Sequence, residues 1–383
     1  MTTAQDTRTI IDIHILQTVP PSNINRDDTG SPKTAYYGGV RRARVSSQAW
    51  KRAVRLAFAD LLDDSQLGER TKRVGESLAE RIAALDPSLA DRKSELAAAV
   101  FAASGLKTEK KKADKKDAEE SGDVESGYLL FLSHRQLDNL AAVAVESANN
   151  DKPLDGKVVR ALANTEHSID IALFGRMVAD LPDINVDAAC QVSHAISVHA
   201  VDNEFDYFTA VDDRKQDNNE TGAGMIGTVE FNSSTLYRYA TVDVNLLQQT
   251  LGDDAATRAA VEAFVTAFVR SMPTGKQNTF AHRTLPDAVV VRVRETQSIN
   301  LVGAFETPVT ESQSSGRIKL AADALADHTK QVENAFGEQP VQSWVTLAGT
   351  QADALAGLGE SVPFNALVVG VGELVAARLG QSA

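Results

Sequence analysis

Residues 9–19 read TIIDIHILQTV. Ile11, Ile13 and Ile15 alternate with Asp12 and His14, the period-two pattern of a strand with one apolar face. Working outward, residues 47–62 set Trp50, Val54, Ala57 and Leu61 on one helical stripe. Residues 191–201 and 235–244 again read as strands. A helix capped by Asp253 or Asp254 runs to about residue 272, with Pro273 just beyond its end. DAVVVRVR at 287–294 is a last strand. The order is βαββαβ, the ferredoxin-like or RRM arrangement of an α+β fold. Two insertions interrupt it. Residues 65–181 are mostly helical and polar, and their charged run at 107–120 is expected to be a mobile loop. Residues 203–231 place two β-like arms around the tip DRKQDNNETGAG, which predicts a long hairpin. The aromatic signature with which ordinary RRMs stack bases is missing, so binding to a nucleic-acid backbone is the better expectation.

That expectation rests on KTAYYGGVRRARVSSQAWKRAVR at 33–55, which holds seven basic side chains and no acidic one in a chain of net charge −13. A cationic block in an anionic protein implies a local anionic partner. Gly38-Gly39 lets backbone approach a ligand closely. Arginines suit bidentate phosphate contacts. Ser46-Ser47 open a helix whose N-terminus offers N–H groups to phosphate. Lys51 and Arg55 share one face of that helix, with Arg52 beside them. The overall acidity weighs against a nucleic-acid function, since such proteins are commonly basic. An acidic exterior around one basic groove meets that objection by disfavouring nonspecific binding.

The single cysteine, Cys190, excludes an internal disulfide framework and fits a reducing cytosol, so a cytoplasmic location is expected. No apolar run is long enough to span a bilayer, and no membrane partner is expected. The seven histidines show no HExxH and no Cys/His ligand spacing, and His194 and His199 read as strand residues rather than ligands. No metal, cofactor or catalytic residue is expected.

Several motifs now combine. NRDD at 25–28, YYGGVRRARVSSQAWKRAVR at 36–55, DIALFGRM at 170–177, HAISVHAVD at 194–202, FTAVDD at 208–213 and GTVEFNSSTLYRYA at 227–240 resemble the CasC family. These are the repeating backbone subunits of the type I-E CRISPR surveillance complex, Cascade. The resemblance covers residues 8–60 and 165–305 and fades elsewhere. It implies a modified RRM palm carrying helical fingers and a β-hairpin thumb. The expected boundaries are palm at 1–64, fingers at 65–188, a palm strand at 189–199, thumb at 200–232 and palm again at 233–383. It also implies a noncatalytic protein that stacks copies of itself along a CRISPR RNA, joins other Cascade subunits and presents the spacer to target DNA.

By the same resemblance, Lys33, Gly38, Gly39, Arg41, Arg42, Arg44, Ser46, Gln48, Lys51 and Arg52 match the guide-binding segment. Val40 stands where relatives can carry a basic residue. Phe208 and Thr209 belong to the thumb, which displaces guide nucleotides, and Met177 is their partner from the fingers. The Gly-Lys loop PTGKQNT adds Lys276 and Gln277 as phosphate contacts. Asn25, Arg26, Asp27 and Asp28 read as a turn or an interface with the neighbouring copy. A competing reading makes the paired aspartates a metal site that cleaves RNA, as in type III-like complexes. Lys152, Lys157 and Arg160 are candidate contacts for DNA. An RRM-type RNA regulator without self-association is the remaining alternative.

Overall fold

The computed structural model describes residues 8–106, 108–110, 124–126, 129–211, 223–311 and 315–380. The chain divides into two compact units, residues 1–57, 191–243 and 261–383 in one and residues 58–190 and 244–260 in the other.

In chain order, the elements used below are strands β1 (Ile10–Ser22), β2 (Thr34–Tyr37) and β3 (Val40–Val45), then helix α1 (Ser47–Phe58). Strands β4 (Ala195–Ser197), β5 (Glu204–Val211) and β6 (Ala223–Asp243) follow, then helix α2 (Asp254–Arg270) and strand β7 (Ala288–Arg294). Helix α3 (Arg317–Phe336), strands β8 (Gln342–Leu347) and β9 (Glu360–Ser361), and helix α4 (Phe364–Leu379) complete the chain. The main sheet runs β9-β8-β7-β1-β6-β4-β3-β2. Its inner four strands, β7-β1-β6-β4, are antiparallel neighbours. They stand in the order fourth, first, third, second, as an RRM requires. The fold is therefore α+β, an RRM-like sheet with a helical insertion and a β-hairpin. Beyond the sequence reading, a β2–β3 hairpin extends one edge, and β8 and β9 extend the other.

The central strand carries one surprise. Alternation predicts a β1 with one apolar face, yet Asp12 and His14 are as buried as the isoleucines. Each finds a partner, as a buried polar group must. Asp12 accepts from the Tyr239 hydroxyl at 2.7 Å, from the Arg294 Nε at 3.2 Å and from the Ile299 N–H at 3.0 Å. His14 Nδ1 lies 2.9 Å from the Tyr237 hydroxyl. Leu301, Phe305 and the α3 residues Ala321, Ala322, Leu325 and Ala326 close over this face. The two tyrosines on the third strand of the RRM core are thereby sealed inside the protein.

The opposite face holds α1 and α2. Trp50 is fully buried. Its ring lies 3.7 Å from the guanidinium of Arg238, which also faces the Phe268 ring at 4.6 Å. Arg238 donates to Gln17 Oε1 at 2.6 Å and to the Phe268 carbonyl. Burial pulls its pKa down to about 9. Rings and neutral acceptors thus hold a desolvated cation, an arrangement worth about 2 kcal/mol per cation–π contact.

The second unit packs helices Val74–Leu85, Lys93–Ser104 and His134–Asn150 around Leu78, Ile82, Val100, Phe101, Leu137 and Leu140. Helix Val244–Leu251 groups here too, whereas the sequence reading keeps it in the palm. Most of the charged run at 107–120 lies outside the described residues, and its strand Thr108–Lys110 pairs with Val124–Ser126. Among the described residues no helix is long and apolar enough to cross a membrane.

Trp50→Ala is expected to lower stability by about 3–5 kcal/mol, since it removes the ring over Arg238 and opens a core void. The exposed Arg52→Ala on the same helix should stay within about 0.5 kcal/mol. Urea unfolding of the two variants compares them, and equal midpoints would remove the stack from its anchoring role.

Candidate nucleic-acid interface

The β2–β3 turn is built on Gly38 and Gly39, at φ of 59° and 79°. Both angles lie in the left-handed region that favours glycine. A Cβ on Gly38 would collide with the carbonyl oxygen of Glu306. At Gly38 the close backbone approach is thus made to the protein's own chain. Gly39 opens onto free space, with nothing within 4 Å.

Neighbouring arginines on β3 have opposite fates. Arg41 is exposed, and Arg42 is 0% exposed. Arg42 donates from Nε to the Tyr37 carbonyl at 3.1 Å and from Nη1 to the Ser197 carbonyl at 3.0 Å. Its Nη2 reaches the carbonyls of Phe305 at 2.8 Å and Glu306 at 3.3 Å. This corrects the expectation that Arg42 contacts phosphate. Every nitrogen of its fork already donates to a carbonyl, so the side chain braces the hairpin against β4 and residues 305–306. Arg44, half-buried, donates to the Thr34 carbonyl at 3.0 Å and meets His194 Nδ1 at 3.1 Å.

The start of α1 is fastened locally. Ser46 Oγ accepts from the Ala49 N–H at 3.3 Å, as an N-cap does. The Ser46 N–H donates to Asn25 Oδ1 at 2.8 Å, and the Asn25 carbonyl accepts from the Lys33 N–H at 2.9 Å. Asn25 therefore joins the loop after β1 to the start of the basic segment and to the start of α1. Along α1, Gln48 and Arg52 are exposed, and Lys51 and Arg55 are half-buried.

Asp27 Oδ1 accepts from the Thr29 hydroxyl at 2.7 Å and from the N–H groups of Thr29 and Ser31, both at 3.0 Å. This Asx turn, led by the Thr29 hydroxyl, holds the carboxyl below its usual range. Arg26 and Asp28 are exposed. Gly275 packs so closely on the Ile24 carbonyl that a Cβ would collide with it. The loop carrying half-buried Lys276 and exposed Gln277 thus lies against residues 23–30. Among the described residues no three His, Cys, Asp or Glu side chains group to hold a metal ion.

The β5–β6 hairpin is rooted on the same loop, because Glu230 accepts from Ser31 Oγ at 2.9 Å and from Asn203 Nδ2 at 3.0 Å. Phe208 pairs across the ladder with Gly227 and covers it, where a Cβ would meet the ring at 2.5 Å. Thr209 is exposed, and the tip at 212–222 lies outside the described residues. In the second unit Met177 is 84% exposed, and Lys152 and Lys157 are exposed as well. Arg160 donates to the Ser104 carbonyl at 3.3 Å.

Sequence reasoning passed over two sets of exposed aromatics. Tyr36, 76% exposed, stands opposite Arg41 in the hairpin register. Phe205 and Tyr207 project from the arm that carries Phe208. Their period-two spacing in EFDYFT was the available signal.

A model of the CT1975-like protein family matches residues 11–368. The chain belongs to that family. This CT1975-like chain is also similar, at 35% identity and a TM-score of 0.82, to a chain of a solved "CRISPR RNA-guided surveillance complex, pre-nicking". That likeness covers 96% of this chain and 100% of the other. A chain of a second "CRISPR RNA-guided surveillance complex" is 31% identical with a TM-score of 0.73, covering 96% and 99%. No curated protein matches the sequence.

Arg42→Ala is expected to lower the melting temperature by several degrees, because it leaves buried carbonyls of Ser197 and Phe305 without donors. Arg41→Ala should leave it unchanged. Differential scanning calorimetry of the two variants checks this, and a thermally neutral Arg42→Ala would return that residue to the binding surface.

Proposed function

We propose that the chain is a noncatalytic backbone subunit that oligomerises on CRISPR RNA in a type I-E Cascade complex and presents the spacer to target DNA. The observation that carries this reading is the end-to-end likeness to chains of two CRISPR RNA-guided surveillance complexes. The placement of charge supports it. Arg41, Arg52 and Gln48 are exposed on the basic segment, and Arg44 and Lys33 stand beside them. The closed sheet face supports it too. Tyr237 and Tyr239 lie under Phe305 and α3, so bases have no aromatic platform there. The protein then holds phosphates through cations and backbone groups and leaves base edges free. Such a division suits guided recognition, in which pairing reads sequence and protein reads shape. Further copies of the chain, other Cascade subunits and target DNA reached through the guide are the remaining partners of this reading.

Expression with a CRISPR array should yield a large assembly containing short RNA of uniform length. Reversing Arg41 and Arg52 to Glu should weaken guide binding across unrelated spacers. The salt dependence should also become shallower, by about 0.7 in log–log slope for each phosphate that is no longer neutralised. Normal binding by the double variant at moderate salt would overturn the assignment of this segment.

Asp27→Ala and Asp28→Ala are expected to leave matched target RNA intact in the presence of Mg²⁺, as the unaltered assembly does. Specific cleavage by the unaltered assembly, abolished in these variants, would establish the RNA-cleaving alternative.

A further inference from the structure

His194 stands in the short link between strand Cys190–Val192 and β4. The structure sets its ring against Arg44, and Lys33 is the next charge that acts on it. Arg44 Nη1 lies 3.1 Å from His194 Nδ1. A guanidinium only donates, so Nδ1 is the acceptor and the proton of the neutral ring sits on Nε2. Lys33, joined to Arg44 by a backbone hydrogen bond of 2.9 Å, supplies the second charge. Its ammonium has no hydrogen-bond or ion-pair partner among the described residues.

The charged groups that act on the ring are Arg44 from β3 and Lys33 from the segment before β2. Strand β6 brings Tyr239 against the residue before His194. The Tyr239 carbonyl accepts from the Ser193 N–H at 3.0 Å, while its hydroxyl turns away to Asp12 on the buried side and stays protonated. Burial, then Arg44, then Lys33 hold the His194 pKa below its usual value. In a chain of net charge −13, no carboxylate among the described residues is hydrogen-bonded or ion-paired to Lys33, Arg44 or His194.

We propose that Lys33, Arg44 and His194 form a phosphodiester site in which the His194 Nε2–H donates to a guide phosphate oxygen. The inference rests on the RNA-binding reading above and adds to it a residue and a pH response. The sign follows from linkage. A bound phosphate is an anion beside the imidazole, so it raises the His194 pKa toward or above its ordinary value. The complex then holds more proton than the free chain. Affinity is greatest at acidic pH and falls as pH rises through the complex-state pKa. Each unit of difference between the two pKa values is worth tenfold in affinity.

The test uses the full chain and two labelled single-stranded RNAs of unrelated sequence, titrated between pH 5.5 and 8 at constant salt. The unaltered chain should bind both RNAs about five- to tenfold more tightly at the acidic end. His194→Gln keeps an acceptor for Arg44 and removes the titrating group. It should retain its melting temperature and lose most of that pH dependence. The His194 ring resonances, followed by NMR, should report a higher pKa with RNA bound than without. Binding that is strong but equally pH-dependent in His194→Gln, or a His194 pKa unmoved by RNA, would overturn this site and leave the RNA-binding reading standing. Failure of the unaltered chain to bind either RNA would count against both.

Discussion

Arg238 is fully buried 3.7 Å from the Trp50 ring, and the strand order, the helix positions and the basic segment all meet there. Trp50 belongs to α1, Phe268 to α2, Arg238 to β6 and Gln17 to β1. One side chain therefore ties together four of the six elements of the RRM core. No carboxylate stands among its partners in the described residues. Its desolvation is offset by two ring faces, a glutamine oxygen and the Phe268 carbonyl. Buried cations held this way demand close geometry, because losing a partner leaves a charge in a poorly polarisable interior. The helix bearing Gln48, Lys51, Arg52 and Arg55 inherits its position from that demand.

The other face of the sheet is closed by chain that follows β7. Leu301, Phe305 and α3 cover Tyr237, Tyr239 and Leu16, while Asp12 links the Tyr239 hydroxyl to Arg294. In an ordinary RRM this is where bases stack. Sealing it removes the aromatic platform and leaves loops and strand edges as the surfaces open to a ligand. The residues that seal the sheet also shape the candidate interface. Phe305 and Glu306 accept from Arg42, and the Glu306 carbonyl abuts Gly38. Core formation and presentation of the basic hairpin are one packing problem.

Within that hairpin, burial divides the cations by task. Arg42 joins the turn to β4 and residues 305–306, and Arg41 next to it faces solvent beside Tyr36. Arg44 stands between, half-buried and bonded to His194. A run of arginines that looks uniform in sequence thus contains one brace, one exposed cation and one half-buried cation bonded to a histidine.

Local pattern alone was enough to read much of this protein. Period-two alternation marked β1, β6 and β7, the Trp50 stripe marked α1, and their order spelled the RRM core. The cationic stretch at 33–55 and the aromatic-bearing hairpin were legible as well, and shared motifs pointed to a family of CRISPR complexes. Tertiary structure decided what covers each face. Periodicity tells which side chains point the same way and is silent on the carbonyls, rings and carboxylates that distant segments bring to meet them. Asp12 and His14 became interior because Arg294 and Tyr237 arrive from more than two hundred residues away. Arg42 left the protein surface because β4 and residues 305–306 supply acceptors that water would otherwise provide. The β2–β3 hairpin closes locally across Gly38-Gly39, but its place at the sheet edge was hidden from local pattern, since β3 joins the main sheet only when β4, some 150 residues later, pairs beside it.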